Sequence, residues 1–144
     1  MITDAGFVGA KAALFCGDAL LTCLRDTHPG LPWAGMWDLP GGGREGDESP
    51  DSCLLRELAE EFGLSLPPAR LTWRIELPSM TDPFRPSHFF AGPITRAEVA
   101  AIRFGDEGQG WALMPIRDFL THAHAIPEMQ RRVRLALTAG AIPR

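Results

Sequence analysis

Glu57, Glu60 and Glu61 stand three and four residues apart in the chain, a spacing that makes them neighbours on one face of a helix. Neighbouring carboxylates repel, and where they are partly buried the repulsion pushes at least one of them toward its protonated form. A hard divalent cation removes that conflict, because Mg²⁺ takes oxygen ligands and is commonly held by one or two carboxylates together with substrate phosphates. A solvated acidic face is the commoner meaning of a glutamate pair taken alone. The run just upstream, Trp37-Asp38-Leu39-Pro40-Gly41-Gly42-Gly43, changes that reading. Three glycines let a backbone approach a ligand closely and present N–H or C=O groups to phosphate or metal. A glycine loop feeding an acid-faced helix gathers backbone groups and carboxylates at one end of one element.

The helix follows from local chemistry. Ser49 supplies an N-cap hydroxyl, Pro50 suits the first helical position, and Asp51 places negative charge in the first turn. Gly63 takes the left-handed conformation that ends a helix, with Leu64 folding back as its apolar contact. At about 100° per residue, Leu54, Leu55, Leu58, Ala59 and Phe62 share the side opposite the glutamates. Cys53, one turn before Glu57, reads as a small packing residue near the loop.

Gly42, Glu48, Arg56, Glu57, Leu58, Glu60, Glu61, Gly63 and Leu64 together fill the pattern G-x5-E-x7-R-E-U-x-E-E-x-G-U, with U aliphatic. Residues 42–64 therefore resemble the Nudix box, and the chain is identified as similar to Nudix hydrolases. The chain length, the approach from Trp37 to Gly42 and the later run Glu107-Gly108-Gln109-Gly110-Trp111 fit the same resemblance. It implies an α/β (α+β) fold, an α/β/α sandwich around a mixed central sheet, as one domain over residues 1–144. It also implies Mg²⁺-dependent hydrolysis, with Mn²⁺ as an alternative, of a nucleoside diphosphate linked to a further group.

By position in the box, Glu57, Glu60 and Glu61 are the implied metal ligands, assisted by a backbone carbonyl near Gly41 or Gly42, and Gly41, Gly42 and Gly43 border the substrate. Arg56 is expected to hold Glu57 by a bidentate pair, and Glu48 to be an outer ligand or a helix-start contact. For the general base, Glu57 and an acid from a later loop both stay open; Glu107 leads the loop acids, with Asp106 its competitor. Base stacking needs an exposed aromatic, for which Trp33, Trp73, Phe84 and Phe89 are candidates, and Trp37 is expected to pack under the glycine loop. Members similar to MutT release pyrophosphate from nucleoside triphosphates, and the Glu-Gly-Gln run and the proline-opened final helix lean that way. The asparagine that reads an oxidised base in that group has no counterpart before Pro127, where His124-Ala125-Ile126 stand. ADP-ribose, nucleotide sugars, dinucleoside polyphosphates, RNA 5′ ends and a non-catalytic nucleotide sensor remain as alternatives.

Composition bounds the partners. The net charge of the 144 residues is −4, and seven of the 18 acidic residues (Glu45, Asp47, Glu48, Asp51, Glu57, Glu60, Glu61) lie in one stretch, so the acidity belongs to the suspected metal site. No basic stripe of the kind that duplex nucleic acid requires is present, which leaves a nucleotide-type small molecule as the expected partner. No membrane-spanning run or leader is apparent, so the expected location is cytoplasmic, and a homodimer is left open. Cys16, Cys23 and Cys53 are odd in number and lack metal spacing, which fits a reducing compartment.

The remaining pattern predicts strands over 7–15 and 19–25 around a Cys16-Gly17-Asp18 turn, then 70–77, 87–91 and 111–114. Residues 27–36 and 79–86 read as loops. Helices are expected over 95–102, with Thr95 and Glu98 as a capping box, and over 127–138, opened by Pro127.

Overall fold

The computed structural model describes residues 6–143; the outermost positions of the single-domain expectation, 1–5 and 144, lie outside the described residues. The elements are β1 (Gly9–Cys16), β2 (Ala19–Leu24), β3 (Trp37–Asp38), β4 (Gly41–Gly43), α1 (Pro50–Phe62), β5 (Trp73–Pro78), β6 (Pro86–Pro93), α2 (Arg96–Ala100), β7 (Gly110–Pro115), α3 (Ile116–Thr121) and α4 (Pro127–Thr138). A seven-stranded mixed sheet runs β3-β2-β1-β6-β5, with β4 also paired to β1 and β7 to β2. β1 and β6 are parallel, and the other pairs are antiparallel.

Alternation along β1 builds the two faces. Ala10, Ala12 and Leu14 pack with Leu54, Leu58 and Phe62 of α1 in one core, while Ala13 packs with Phe119 of α3 and Met129, Val133 and Ala136 of α4 in the other. Helices thus cover both sheet faces, giving the expected sandwich. Fully burying each Leu or Phe contributes about 1.5–3 kcal/mol.

One feature of the pairing opens the molecule. β1 and β2 pair only beside their turn, at Phe15–Leu20 and Cys16–Ala19. Farther along, Gly9–Lys11 of β1 pair with β4, while β2 pairs with β7 and β3. The two strands of the hairpin therefore splay, and a cleft lies between them.

Several expectations shift. The glycine run expected as a loop instead contributes two short strands, β3 and β4, because Gly41–Gly43 find ladder partners in Lys11–Gly9. Residues 70–72 are not strand: Pro67 and Pro68 start a 3-10 turn over Pro68–Arg70, and β5 begins only at Trp73. β6 is longer than expected and ends on prolines. Helix α3 was not anticipated, since six residues are too few to display a helical period. Ala59 is exposed, lying at the edge of the apolar stripe rather than on it. The N-cap of Ser49, the left-handed Gly63 (φ 63°), the capping box at Thr95 and the bounds of α4 agree with the sequence reading.

Candidate active site

The cleft holds about 670 Å³, a volume in the range of small-molecule sites. One wall is Gly9–Lys11 with the glycine strand β4, the other is Cys23–Asp26, and Glu57 and Glu61 of α1 face it. The glycines are there for proximity. A Cβ on Gly42 would stand 2.6 Å from the Glu57 carboxyl carbon, and one on Gly41 (φ 129°) would stand 2.1 Å from the Ala10 carbonyl oxygen. Glycine at 42 therefore forms the cradle in which the Glu57 carboxylate lies.

Glu61 Oε1 accepts the Gly41 N–H at 2.9 Å. Burial pushes the Glu61 carboxyl up to about 7, against the opposing pull of Lys11 and of that N–H. Burial likewise raises Glu57, although Arg56 opposes it. These two carboxylates are incompletely compensated by the protein. Glu60 differs: its side chain is 57% exposed and accepts a bond from Arg56 Nη1 at 3.0 Å.

Arg56 corrects one expectation. Its fork closes on Glu48, Nε to Oε2 at 2.7 Å and Nη2 to Oε1 at 3.2 Å, while Glu57 receives a single bond from Nη1 at 3.0 Å. Nη2 also donates to the Gly43 carbonyl at 2.8 Å. Glu48 accepts the Glu45 N–H as well, and Arg56 holds its carboxyl below the usual range. Glu48 is thus a contact at the helix start, and Arg56 ties β4 to α1. The geometric reason is reach: Glu57 adjoins Arg56 in sequence and points into the cleft, so a planar fork meets Glu48 more squarely.

The Gly42 carbonyl accepts the Cys53 thiol at 3.7 Å. Cys53 is fully buried, as expected of a packing residue, and burial pushes its thiol up to about 11. Glu107 stands on the cleft rim, whereas Asp106 does not line it. Its loop is pinned by the Gly108 N–H to Asp26 Oδ2 at 3.0 Å and the Gln109 N–H to the Leu24 carbonyl at 2.8 Å.

The aromatics lie elsewhere. Trp33 is 44% exposed with φ 58° and does not line the cleft; Trp73 packs edge-on to buried Phe89; Phe84 is 96% exposed. Trp37 packs with the α3–α4 core and meets His122 edge-on at 6.3 Å rather than lying under the glycines.

Lys11, Arg25, Asp38 and Arg132 are among the lining residues that escaped the sequence reading. Asp38, 3% exposed, accepts Lys11 Nζ at 2.9 Å and Arg25 Nη1 at 3.2 Å. Burial disfavours the Lys11 charge, but Asp38 and the nearby Cys23 and Glu61 together outweigh it, and the ammonium is held above its ordinary range. Arg132, 1% exposed, reaches the cleft from α4. The signals were there: a lysine inside the apolar run of β1, and an arginine on the stripe Met129, Val133, Ala136.

Among the described residues, no three His, Cys, Asp or Glu side chains already converge as a complete ligand set. Two under-compensated carboxylates against a glycine cradle nevertheless suit a hard cation, whose remaining ligands come from substrate phosphates and water. No helix among the described residues is long and apolar enough to cross a membrane.

Residues 8–134 match the family model described as NUDIX domain. An RNA pyrophosphohydrolase from Acidiphilium cryptum (strain JF-5) is 44% identical over 52 residues, 36% of this chain and 32% of that protein. An 8-oxo-dGTP diphosphatase from Proteus vulgaris is 50% identical over 32 residues, 22% of this chain and 29% of that protein. The matches thus span only about a third of those curated relatives. Among solved structures, a MutT protein from Methanosarcina mazei Go1 superposes with a TM-score of 0.72 at 17% identity, covering 97% of this chain and 99% of that one. A bifunctional NMN adenylyltransferase/ADP ribose pyrophosphatase from Francisella tularensis, complexed with AMP and Mn ion, gives 0.71 at 21% identity, over 95% of this chain and 42% of that one. These two likenesses concern the fold.

Proposed function

The chain belongs to the NUDIX family, and from that premise we propose that it is a divalent-metal-dependent pyrophosphohydrolase of nucleoside diphosphate-linked substrates, acting on nucleoside triphosphates to give the monophosphate and pyrophosphate. The observation that carries this reading is the pair Glu57 and Glu61, held half-buried and short of positive charge against Gly41 and Gly42 at a nucleotide-sized cleft.

Glu57, Glu60 and Glu61, with the Gly42 backbone, are the groups that would hold Mg²⁺ or Mn²⁺. When bound, such an ion polarises a phosphoanhydride and lowers the pKa of an attacking water. The chain's own residues do the rest. Arg56, locked to Glu48 and to the Gly43 carbonyl, fixes the glycine strand relative to α1. Lys11 and Arg25, held by Asp38, present positive charge on opposite walls of the cleft and orient the phosphates. Glu57 takes the proton of the attacking water, with Glu107 on the rim as the competing base.

A second reading, hydrolysis at a 5′-triphosphate RNA end, is favoured by the local identity to the Acidiphilium protein. The test is product release from nucleoside triphosphates, oxidised nucleotides, dinucleoside polyphosphates, ADP-ribose, nucleotide sugars and 5′-triphosphate RNA, with Mg²⁺ and with chelator. Metal-dependent pyrophosphate release from free triphosphates is the expected result. Cleavage confined to RNA ends supports the second reading. Silence throughout, with nucleotide binding retained, overturns both in favour of a sensor.

A further inference from the structure

Arg132 enters the cleft from the layer opposite the glutamates. α1 packs on one sheet face and α4 on the other, and the cleft is lined by Glu57 and Glu61 from the first and Arg132 from the second. Around Arg132 the wall is made by Ser79, Met80, Thr81 and Ser87.

A guanidinium has five N–H donors. Here Nε donates to Glu128 Oε2 at 2.8 Å, and Nη2 donates to the Pro78 carbonyl at 3.1 Å and to Ser87 Oγ at 3.2 Å. Nη1 meets no acceptor among the described residues, yet it is not sealed from solvent. Three bonds therefore fix the plane of a buried fork and leave one donor edge for whatever fills the cleft. Glu128 already answers the charge, so that edge suits a neutral acceptor better than another anion.

The neighbours agree with this. Ser79 Oγ is occupied by Thr81 and the Asp82 N–H, and Ser87 Oγ donates to the Leu77 carbonyl. Of these side chains the Arg132 edge is the unused charged donor, beside a single spare hydroxyl hydrogen of the Ser79–Thr81 pair, and Met80 offers a polarisable surface for a flat ring.

We infer that Arg132 is a specificity-determining residue that reads the acceptor edge of the substrate's nucleobase, selecting bases that present a carbonyl (guanine, hypoxanthine, uracil) over those that present an amino group (adenine, cytosine). The free Nη1 edge only donates, so it pairs with the O6 acceptor of guanine but meets a donor at the amino group of adenine. The inference rests on the nucleotide-hydrolase reading for its substrate class, while its own evidence is the Arg132 geometry.

The test pairs kinetics with equilibrium binding. Metal-dependent kcat/KM is measured for GTP, ITP and UTP against ATP and CTP, and calorimetry measures GMP against AMP. Both are run on the native chain, on Arg132→Met and on Arg132→Lys, with thermal unfolding as the check on folding. Expected is a preference of about tenfold to a hundredfold for carbonyl-edged bases, abolished in Arg132→Met because GTP, ITP and UTP fall by more than ATP and CTP. Arg132→Lys keeps a cation beside Glu128 but loses the planar fork; if the methionine variant does not fold, lost preference in the lysine variant decides. Equal use of both base classes by the native chain overturns the proposal. So does an equal fall for all bases in a folded variant, which marks a purely structural arginine. If no nucleotide is hydrolysed but GMP binds over AMP through Arg132, the reaction fails and the base reading stands.

Discussion

Two helices carry glutamate and arginine in close succession, and they treat them oppositely. On α4, Glu128 lies in the first turn, where the helix dipole favours it, and precedes Arg132 by four residues, the better orientation for such a pair. Burial alone would raise its carboxyl, but Arg131 and Arg132 hold it below the usual range. On α1 the order is reversed, Arg56 preceding Glu60, and Glu60 and Glu61 sit in a last turn that contains no basic residue. Burial there pushes Glu61 up to about 7. The α4 cluster is arranged for stability, whereas the α1 cluster is arranged against it, a conflict that a bound cation would resolve.

The sharpest way to break this comparison is Glu57→Gln or Glu61→Gln. Each is expected to lower kcat/KM by about a hundredfold or more, because transition-state charge stabilisation worth several kcal/mol is lost. Melting temperature should hold or rise. Near-native turnover in a folded variant would remove that carboxylate from the site.

Next in size is the pH dependence of stability. Glu61 is raised from its ordinary value to about 7, so between about pH 4.5 and 7 the folded chain binds more protons than the unfolded one. Metal-free stability should therefore fall as pH rises through that window, by at most about 3 kcal/mol. Added Mg²⁺ should restore it at pH 8. Glu128 has the opposite sign: its contribution is complete above about pH 4.5 and is lost as pH falls through its depressed value. Denaturant titrations across pH should show Glu61→Gln flattening the upper limb and Glu128→Gln the acid limb, and unchanged limbs would count against these assignments.

A smaller effect sharpens the cradle argument. Gly42→Ala puts a Cβ within 2.7 Å of both Glu57 carboxylate oxygens. That side chain can move aside, so turnover should fall about tenfold while the unfolding midpoint changes little. The smallest effect separates the helix starts. Ser49 Oγ accepts the Ser52 N–H at 3.2 Å, whereas the N-cap position of α4 is Ile126, which makes no side-chain cap bond. Ser49→Ala should cost about 1 kcal/mol by chemical denaturation, and Ile126→Ala should show a packing loss only.

Much of the fold could be read in advance because it is local. Proline, cap and left-handed glycine mark the ends of α1, and Pro127 opens α4, each acting within a turn of its own position. The carboxylates of α1 were legible for the same reason, since their spacing alone sets their common face. Strands β3 and β4 were not, because two- and three-residue strands exist only through partners on β1 and β2. Nor was the fork of Arg56, whose choice between Glu48 and Glu57 is a matter of angle and reach.

The amino-acid sequence by itself determined the family pattern, the acid-faced helix and its caps, because these depend on neighbours within a few residues. Only the tertiary structure decided which residues share the cleft. Lys11, Arg25, Asp38 and Arg132 come from four distant parts of the chain. They meet because β1 and β2 splay and because α4 turns one arginine of its buried stripe inward. Electrostatics followed the same division: residue types set which groups carry charge, and packing set how much of it is left unanswered.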